Sequence, residues 1–154
     1  MTLDHKKVLI VDDDESILSV CGRTLTGEGF DVVTAQNGAD AVKRLKESEF
    51  GVVFTDLNMP KMGGKELLNY VRQNHIFTCV NIFTGVGTVE GAVECMRLGA
   101  CDYIAKPFGM NELTAMAFRC AGHYSRHLET ARLKHDITAY EELDKLKSEF
   151  VSNV

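Results

Sequence analysis

Five short apolar runs alternate along the chain with longer segments in which apolar residues recur every three or four positions. The runs occupy residues 8–11, 31–35, 51–55, 79–83 and 103–105. Four of them are largely apolar and β-branched, which is typical of strands buried on both faces of a parallel sheet. The run at 31–35 is half polar, and we predict it as a further strand of the same sheet.

The segments between the runs carry apolar stripes at helical spacing. The stripes are Ile17, Leu18, Cys21 and Leu25; Ala41, Val42 and Leu45; Leu67, Leu68 and Val71; and Val89, Val93, Met96 and Leu98. The first stripe ends near Gly27 and Gly29 and the fourth at Gly99, where helices commonly stop. Such strict alternation predicts an open, doubly wound α/β sheet, with right-handed crossovers that place helices on both faces.

Bulk composition limits the possible functions. The chain has 154 residues, of which 45% are hydrophobic and 25% charged, so it suits one compact domain with room for an extra element. A net charge of -5 gives no electrostatic reason to bind nucleic acid directly. No apolar run approaches the roughly 18–20 residues that span a bilayer, and the N-terminus lacks a signal-peptide layout. We therefore expect no membrane span and a cytoplasmic location.

The cysteines are scattered and odd in number. They are Cys21, Cys79, Cys95, Cys101 and Cys120. Zinc sites need clustered ligands and secreted disulfide scaffolds prefer an even count, so neither is supported. We interpret them as reduced, small core residues.

Polar side chains follow four of the runs, at the edge of the sheet where ligands of such folds bind. Residues 12–15 are Asp-Asp-Asp-Glu, Asp56 follows the third run, Thr84 the fourth, and Lys106 the fifth. Carboxylates that converge repel each other unless a cation neutralises them, and a hard divalent ion such as Mg²⁺ takes oxygen ligands. For residues 14–16 we favour the simpler interpretation of a helix N-terminal cap.

These motifs together resemble the receiver domain of bacterial two-component response regulators. The similar segments are VLIVDDDE at 8–15, DLNMPKMGG at 56–64, Thr84-Gly85 and Lys106-Pro107-Phe108, and the resemblance covers roughly residues 5–122. It implies a flavodoxin-like fold with a five-stranded parallel sheet in the order 2-1-3-4-5 and an extended C-terminal helix.

The resemblance also implies a phosphoacceptor site. Asp56 would take a phosphoryl group from a phosphohistidine donor, a histidine kinase or phosphotransfer protein, and would assist its own phosphorylation. Asp13 would coordinate Mg²⁺ directly and Asp12 mostly through water, while Asp56 and the backbone carbonyl of Asn58 would complete the protein's ligands.

Three further residues would stabilise and report the phosphoryl group. Lys106, aimed by a cis peptide bond to Pro107, would pair with Asp56 and then with the phosphoryl oxygens. Thr84 would move its hydroxyl onto the group, and Tyr103 would follow it inward. The alternatives are a locally bonded Thr84, a solvated Lys106 and a static, buried Tyr103.

Two residues depart from the expected pattern. Asn81 stands inside the fourth run, where an apolar residue is expected, and it predicts a distorted or edge-like stretch of strand. Val86, two positions after Thr84, leaves little to orient a hydrolytic water and predicts slow loss of the phosphoryl group.

The chain continues beyond the expected end of the receiver. We divide it into a receiver at 1–122 and a helical or coiled-coil linker at 123–154. The linker has a sparse apolar stripe made of Leu128, Leu133, Ile137, Tyr140, Leu143, Leu146 and Phe150. Such a polar helix is marginal alone, so we expect a homodimer through it.

Residues 144–154 resemble the stretch before the phosphoacceptor histidine in the dimerisation domain of sensor histidine kinases. The expectation is therefore the N-terminal receiver of a hybrid histidine kinase, regulating that kinase in cis. The alternative is a stand-alone response regulator with a helical dimerisation tail.

The same residues oppose two other functions. In a haloacid-dehalogenase-like phosphatase, residues 12–16 would form the nucleophile motif, with Asp12 attacking; the short chain and an idle Asp56 oppose this. A receiver-shaped dimerisation module without phosphorylation is opposed by the complete set of site residues.

Overall fold

The computed structural model describes residues 6–85 and 89–152, with only the backbone of residues 89, 151 and 152. Within these ranges, strands and helices alternate as the apolar pattern predicts. They are β1 (Lys7–Val11), α1 (Glu15–Gly27), β2 (Asp31–Ala35), α2 (Gly38–Glu47), β3 (Val52–Asp56), α3 (Gly64–Asn74), β4 (Cys79–Thr84), α4 (Val89–Arg97), β5 (Asp102–Ala105) and α5 (Met110–Ser152).

The sheet is parallel throughout and has the order β2-β1-β3-β4-β5, which confirms the doubly wound, flavodoxin-like α/β fold. Its register aligns the strand ends. Val11 pairs with both Ala35 and Thr55, and Thr84 pairs with Ala105. The residues that follow the strands are therefore delivered to one rim.

The sheet separates two layers of apolar side chains. Val8 and Ile10 of β1 pack with α1 and α5, whereas Leu9 and Val11 pack with α2, α3 and α4. All four side chains are fully buried. Burial on both faces explains why the central strands read as unbroken apolar runs.

The fourth predicted helical stripe is wrong in its details. Val93, Met96 and Leu98 are exposed, and the described side chains that α4 buries are Ala92 and Cys95. The side chain of Val89, the first residue of the stripe, lies outside the described residues. Because the buried side chains are small, this short helix can lie close to the sheet, and its larger apolar side chains are on the face exposed to solvent.

Asn81 also departs from its prediction. It lies fully buried in a regular central stretch of β4, paired with Phe54 on one side and Asp102 on the other. Its amide is satisfied by α5, because Nδ2 donates to the Cys120 thiol at 3.3 Å. The buried amide therefore joins sheet to helix without distorting the strand.

The final helix runs without interruption through the predicted boundary at residue 122 and is 43 residues long. Its first part is buried against the sheet, and Tyr124 is its last buried side chain. Beyond Leu128 every described side chain except the half-buried Ala131 is exposed. None of the described helices combines the length and apolar character that crossing a membrane requires.

Candidate functional site

Asp12 is the most enclosed carboxylate of the rim. It directly follows β1, its backbone N–H donates to the Ala35 carbonyl at 3.1 Å, and its side chain is fully buried. Oδ1 accepts the backbone N–H of Asp14 at 2.9 Å, and Oδ2 accepts Lys106 Nζ at 2.8 Å. Both oxygens of Asp12 are thus already engaged.

Asp13 and Asp14 take different roles. Asp14 accepts the backbone N–H of Ser16 at 2.9 Å and caps α1, as the simpler interpretation of these residues expects. Asp13 is exposed and faces the rim. Carboxylate oxygens of Asp12, Asp13 and Asp56 all lie within 4.8 Å of one another. The convergence predicted from strand ends is therefore present.

Lys106 reaches this cluster from the end of β5. Its backbone N–H donates to the Thr84 carbonyl at 2.7 Å, and the peptide bond to Pro107 is cis, as expected. Nζ lies 2.8 Å from Asp12 Oδ2 and 3.5 Å from Asp56 Oδ1. The solvated alternative for Lys106 is wrong, and its nearer partner is Asp12, whereas the sequence interpretation emphasised Asp56.

The electrostatics of the pair follow from partial burial and opposite charge. Burial, followed by the negative charge of Asp12, raises the pKa of Asp56 above its ordinary value, although Lys106 works in the other direction. Burial alone would lower the pKa of Lys106, but its hydrogen bond to Asp12 and the two carboxylate charges raise it. Lys106 is therefore a permanent cation at neutral pH.

Comparison with known proteins decides the family of this site. Residues 8–118 match the family model described as response regulator receiver domain. The chain belongs to the response regulator receiver family. Receiver domains of response regulators mediate phosphorelay signalling, and that function applies to this domain.

Individual relatives agree with the receiver assignment. The DNA-binding transcriptional regulator NtrC of Escherichia coli is 38% identical over 117 residues, covering 76% of this chain and 25% of that protein. The alkaline phosphatase synthesis regulatory protein PhoP of Bacillus subtilis is 33% identical, with 72% of this chain and 46% of that protein covered. This receiver chain thus spans about a quarter of the length of NtrC.

Solved structures agree as well. The crystal structure of the receiver domain of NtrX from Brucella abortus superimposes with a TM-score of 0.72 at 30% identity, covering 75% of this chain and 98% of that chain.

The hydroxyl and the aromatic side chain of the receiver lie on neighbouring strands. Thr84 is buried at the end of β4, and Oγ1 donates to the Ile104 carbonyl at 3.5 Å. Tyr103 is 41% exposed, so it is not a buried aromatic, and its inward movement stays a prediction. Val86, on which the prediction of slow phosphoryl loss rests, lies outside the described residues.

Glycines to which the sequence pattern assigned no structural role hold the loop after Asp56 in place. Gly38 N–H donates to the Met62 carbonyl at 3.0 Å, and a Cβ on Gly38 would lie 2.6 Å from that oxygen. Gly64 N–H donates to the Leu57 carbonyl at 2.9 Å. These contacts fix the loop that carries Asn58, the predicted carbonyl ligand. The Gly-Gly pair at 63–64 was the available signal for this tight loop.

Proposed function

We propose that Asp56 is the phosphoacceptor of this receiver and that it takes a phosphoryl group from a phosphohistidine donor. The observation that carries the proposal is the contrast between two carboxylates. The Asp56 side chain is 16% exposed and has one contact to Lys106 at 3.5 Å. Asp12 is fully buried, and both its oxygens accept hydrogen bonds. Of these two carboxylates, only Asp56 has a side chain that a phosphoryl donor can reach.

The transfer itself needs a nucleophile and compensation for the charge on the transferred group. An oxygen of Asp56 attacks phosphorus while the phosphorus–nitrogen bond of the donor breaks, and the departing imidazole keeps the electron pair and takes up a proton. Charge spreads over the equatorial oxygens, and Lys106 is 3.5 Å from Asp56, close enough to balance part of it. Thr84 exchanges its weak bond to Ile104 for one to the phosphoryl group, and Tyr103 turns inward behind it.

The donor set at the rim fits a magnesium ion. It consists only of oxygens, and its three carboxylates face a single ammonium group, so an uncompensated negative charge remains. Hard divalent cations prefer such ligands. Asp13, Asp56 and the Asn58 carbonyl would hold the ion directly, and Asp12 through water. When bound, the ion neutralises charge on the phosphoryl oxygens.

Intact-mass analysis after incubation with acetyl phosphate and magnesium chloride tests the proposal. We expect the wild type to gain one phosphoryl group, Asp56→Asn to gain none, and Asp12→Asn to gain it more slowly. Asp31→Asn, which removes an exposed carboxylate at the start of β2, is the matched control and should behave like the wild type. Phosphorylation of Asp56→Asn with loss in Asp12→Asn would instead favour the phosphatase-type nucleophile.

We further propose that α5 carries the phosphorylation state to a dimeric output. The support is the row of exposed apolar side chains on its distal part, from Leu133 to Phe150. NtrC, a relative, is named as a DNA-binding transcriptional regulator, so the output here is either a DNA-binding unit or a histidine kinase. The absence of direct nucleic-acid contact by this receiver and its cytoplasmic location stay predictions.

Sedimentation with and without beryllofluoride tests the dimeric output. We expect the beryllofluoride form to dimerise and Leu143→Glu, which places a charge in the apolar row, to abolish that dimer. Arg132→Glu, which changes a charge elsewhere on the same exposed stretch, is the control. Monomers in both states of the wild type would rule out dimerisation through α5.

A further inference from the structure

Three of the five cysteines meet at the end of β4 that is opposite the phosphoacceptor rim. Cys79 is the first residue of β4 and Thr84 the last. Cys101 immediately precedes β5, and Cys120 lies on α5. All three are free thiols. The fold thus collects cysteines that are 19 to 41 positions apart in the sequence.

Cys79 is the central member of this thiol cluster. Its Sγ donates to the Cys120 carbonyl at 3.6 Å, and the thiols of Cys101 and Cys120 lie close enough to perturb its pKa. Cys101 is held beside β4 because its backbone N–H donates to the Val80 carbonyl at 2.8 Å. A disulfide at Cys79 therefore has two candidate partners, and Cys101 is already fixed next to it.

Exposure distinguishes the two candidates. Cys79 and Cys120 are only 3% and 4% exposed, whereas Cys101 is open to solvent. Cys120 is further engaged by Asn81, whose amide it contacts at 3.3 and 3.5 Å. A small oxidant in solution thus reaches Cys101 first.

The surroundings also make Cys101 the more reactive thiol. Contact with the Cys79 thiol lowers the pKa of Cys101 to about 7, against the desolvation of its sulfur by neighbouring atoms, and the positive charge of Arg72 acts in the same direction as that contact. The same contact raises the pKa of Cys79, which therefore keeps its proton. Reactive cysteines have this partly exposed, thiolate-favouring environment.

We propose that Cys101 and Cys79 form a reversible, peroxide-sensitive modification site, with Cys101 as the oxidised residue and Cys79 as the resolving one. The Cys101 thiolate attacks hydrogen peroxide and, with uptake of a proton, gives a sulfenic acid and one water. The Cys79 sulfur then attacks the sulfenic sulfur while its proton passes to the departing hydroxide, which forms the disulfide and releases a second water. Two thiols are oxidised and one peroxide is reduced to two waters.

The bond would link the start of β4 to the chain segment between α4 and β5. It would not touch Asp56 or Lys106, because these lie at the opposite end of the strands. Phosphorylation by acetyl phosphate therefore serves as an independent check that each cysteine variant is folded.

Intact-mass analysis and peptide mapping of the full chain after treatment with hydrogen peroxide test the site. We expect the wild type to lose two hydrogens, the bond to map to Cys79–Cys101, and dithiothreitol to restore the original mass. Cys101→Ser should abolish the loss, and Cys79→Ala should trap the Cys101 sulfenic acid for capture by dimedone. Cys21→Ser is the matched control. Burial raises the pKa of Cys21 to about 11, so Cys21 should not react and this variant should lose two hydrogens as the wild type does.

Alkylation of the wild type by iodoacetamide at pH 7 gives a second measurement, which does not depend on the folding of Cys79→Ala. We expect Cys101 to react about tenfold faster than a cysteine in an unfolded peptide, because a larger fraction is thiolate. Three outcomes would each overturn the assignment. They are a mass loss that persists in Cys101→Ser, a bond that maps to Cys79–Cys120, and a bond between two chains through Cys101.

Discussion

The two parts of α5 have the same secondary structure but differ in what stabilises them. The proximal part packs on the sheet and buries Leu113, Met116 and Tyr124 to 4% exposure or less. On the distal part, Leu133 is 52% exposed and Phe150 is 74% exposed. The proximal part is stabilised by packing on the receiver core, whereas the described side chains of the distal part bury no apolar surface against it.

The difference shows that helical periodicity does not by itself report burial. Most helical stability in proteins comes from packing an apolar face, and a polar helix that packs on nothing lacks that contribution. The distal part lacks the packing that stabilises the proximal part, and the proposed dimer would supply it. Four measurements test the difference between the receiver core and the distal part of α5.

The largest effect should come from matched leucine truncations on the two parts of α5. Leu113→Ala leaves a cavity in a fully buried site and should lower the free energy of unfolding by about 2–5 kcal/mol. Leu133→Ala removes an exposed side chain and should change it by less than about 0.5 kcal/mol. Urea denaturation followed by circular dichroism measures both. Equal losses would mean that the distal part is packed in the isolated chain.

The second effect is the stabilisation that magnesium binding gives, which should be confined to the receiver core and should not extend to the distal part of α5. At about 100 times its dissociation constant, the ion should raise the free energy of unfolding by about 2.7 kcal/mol. Amide hydrogen exchange should slow around Leu113 and stay unchanged around Leu143. Asp13→Asn should lose most of the gain, and sodium chloride at equal ionic strength is the control. A gain of equal size in Asp13→Asn would show a general salt effect instead.

The third effect concerns the loop that follows Asp56. In Gly38→Ala the new Cβ would lie 2.6 Å from the Met62 carbonyl oxygen, so the loop must shift, at a cost of about 1–3 kcal/mol. Gly27→Ala meets nothing within 4 Å at the end of α1 and should stabilise by about 0.4–1 kcal/mol. The comparison is supported if thermal denaturation shows that Gly38→Ala destabilises and Gly27→Ala stabilises the protein, while amide hydrogen exchange on the distal part of α5 is unchanged in both variants.

The smallest effect should be the pH dependence that Asp56 introduces. Because burial and then the charge of Asp12 raise its pKa, protonated Asp56 favours the folded state. That contribution is fully present below its ordinary value of 3.8 and is lost as the pH rises through the raised, folded-state pKa. In buffer with a chelator, Asp56→Asn should therefore be more stable than the wild type at pH 7.

The advantage of Asp56→Asn should shrink as the pH is lowered toward 3.8. Chemical denaturation at a series of pH values measures it, and Asp31→Asn serves as the solvated control. An advantage that is independent of pH would mean that the substitution acts through packing and not through charge.

The sequence predicts the strands closely because burial on both faces leaves a clear signal. Each of the five runs matches its strand to within one residue at either end, for example 51–55 against Val52–Asp56. The meeting of Asp12, Asp13 and Asp56 is equally predictable, since parallel strands deliver their carboxyl ends to one edge.

What the sequence does not predict depends on distant contacts. The preference of Lys106 for Asp12, the pairing of Asn81 with Cys120 and the thiol cluster each join elements far apart in the chain. The face that α4 turns outward depends on how closely Ala92 approaches the sheet. The boundary at residue 122 and the kinase-like character of residues 144–154 stay predictions, and residues 153 and 154 lie outside the described ranges.

The uninterrupted course of α5 has a mechanical consequence. From Tyr124, the last buried side chain of α5, to Ser152 the axis extends about 42 Å at 1.5 Å per residue. A tilt of about 5° at Tyr124 displaces the far end by about 4 Å, roughly the width of a side chain. A rearrangement around Thr84 that tilts α5 without disturbing the core would thus become a movement large enough for a partner protein to detect.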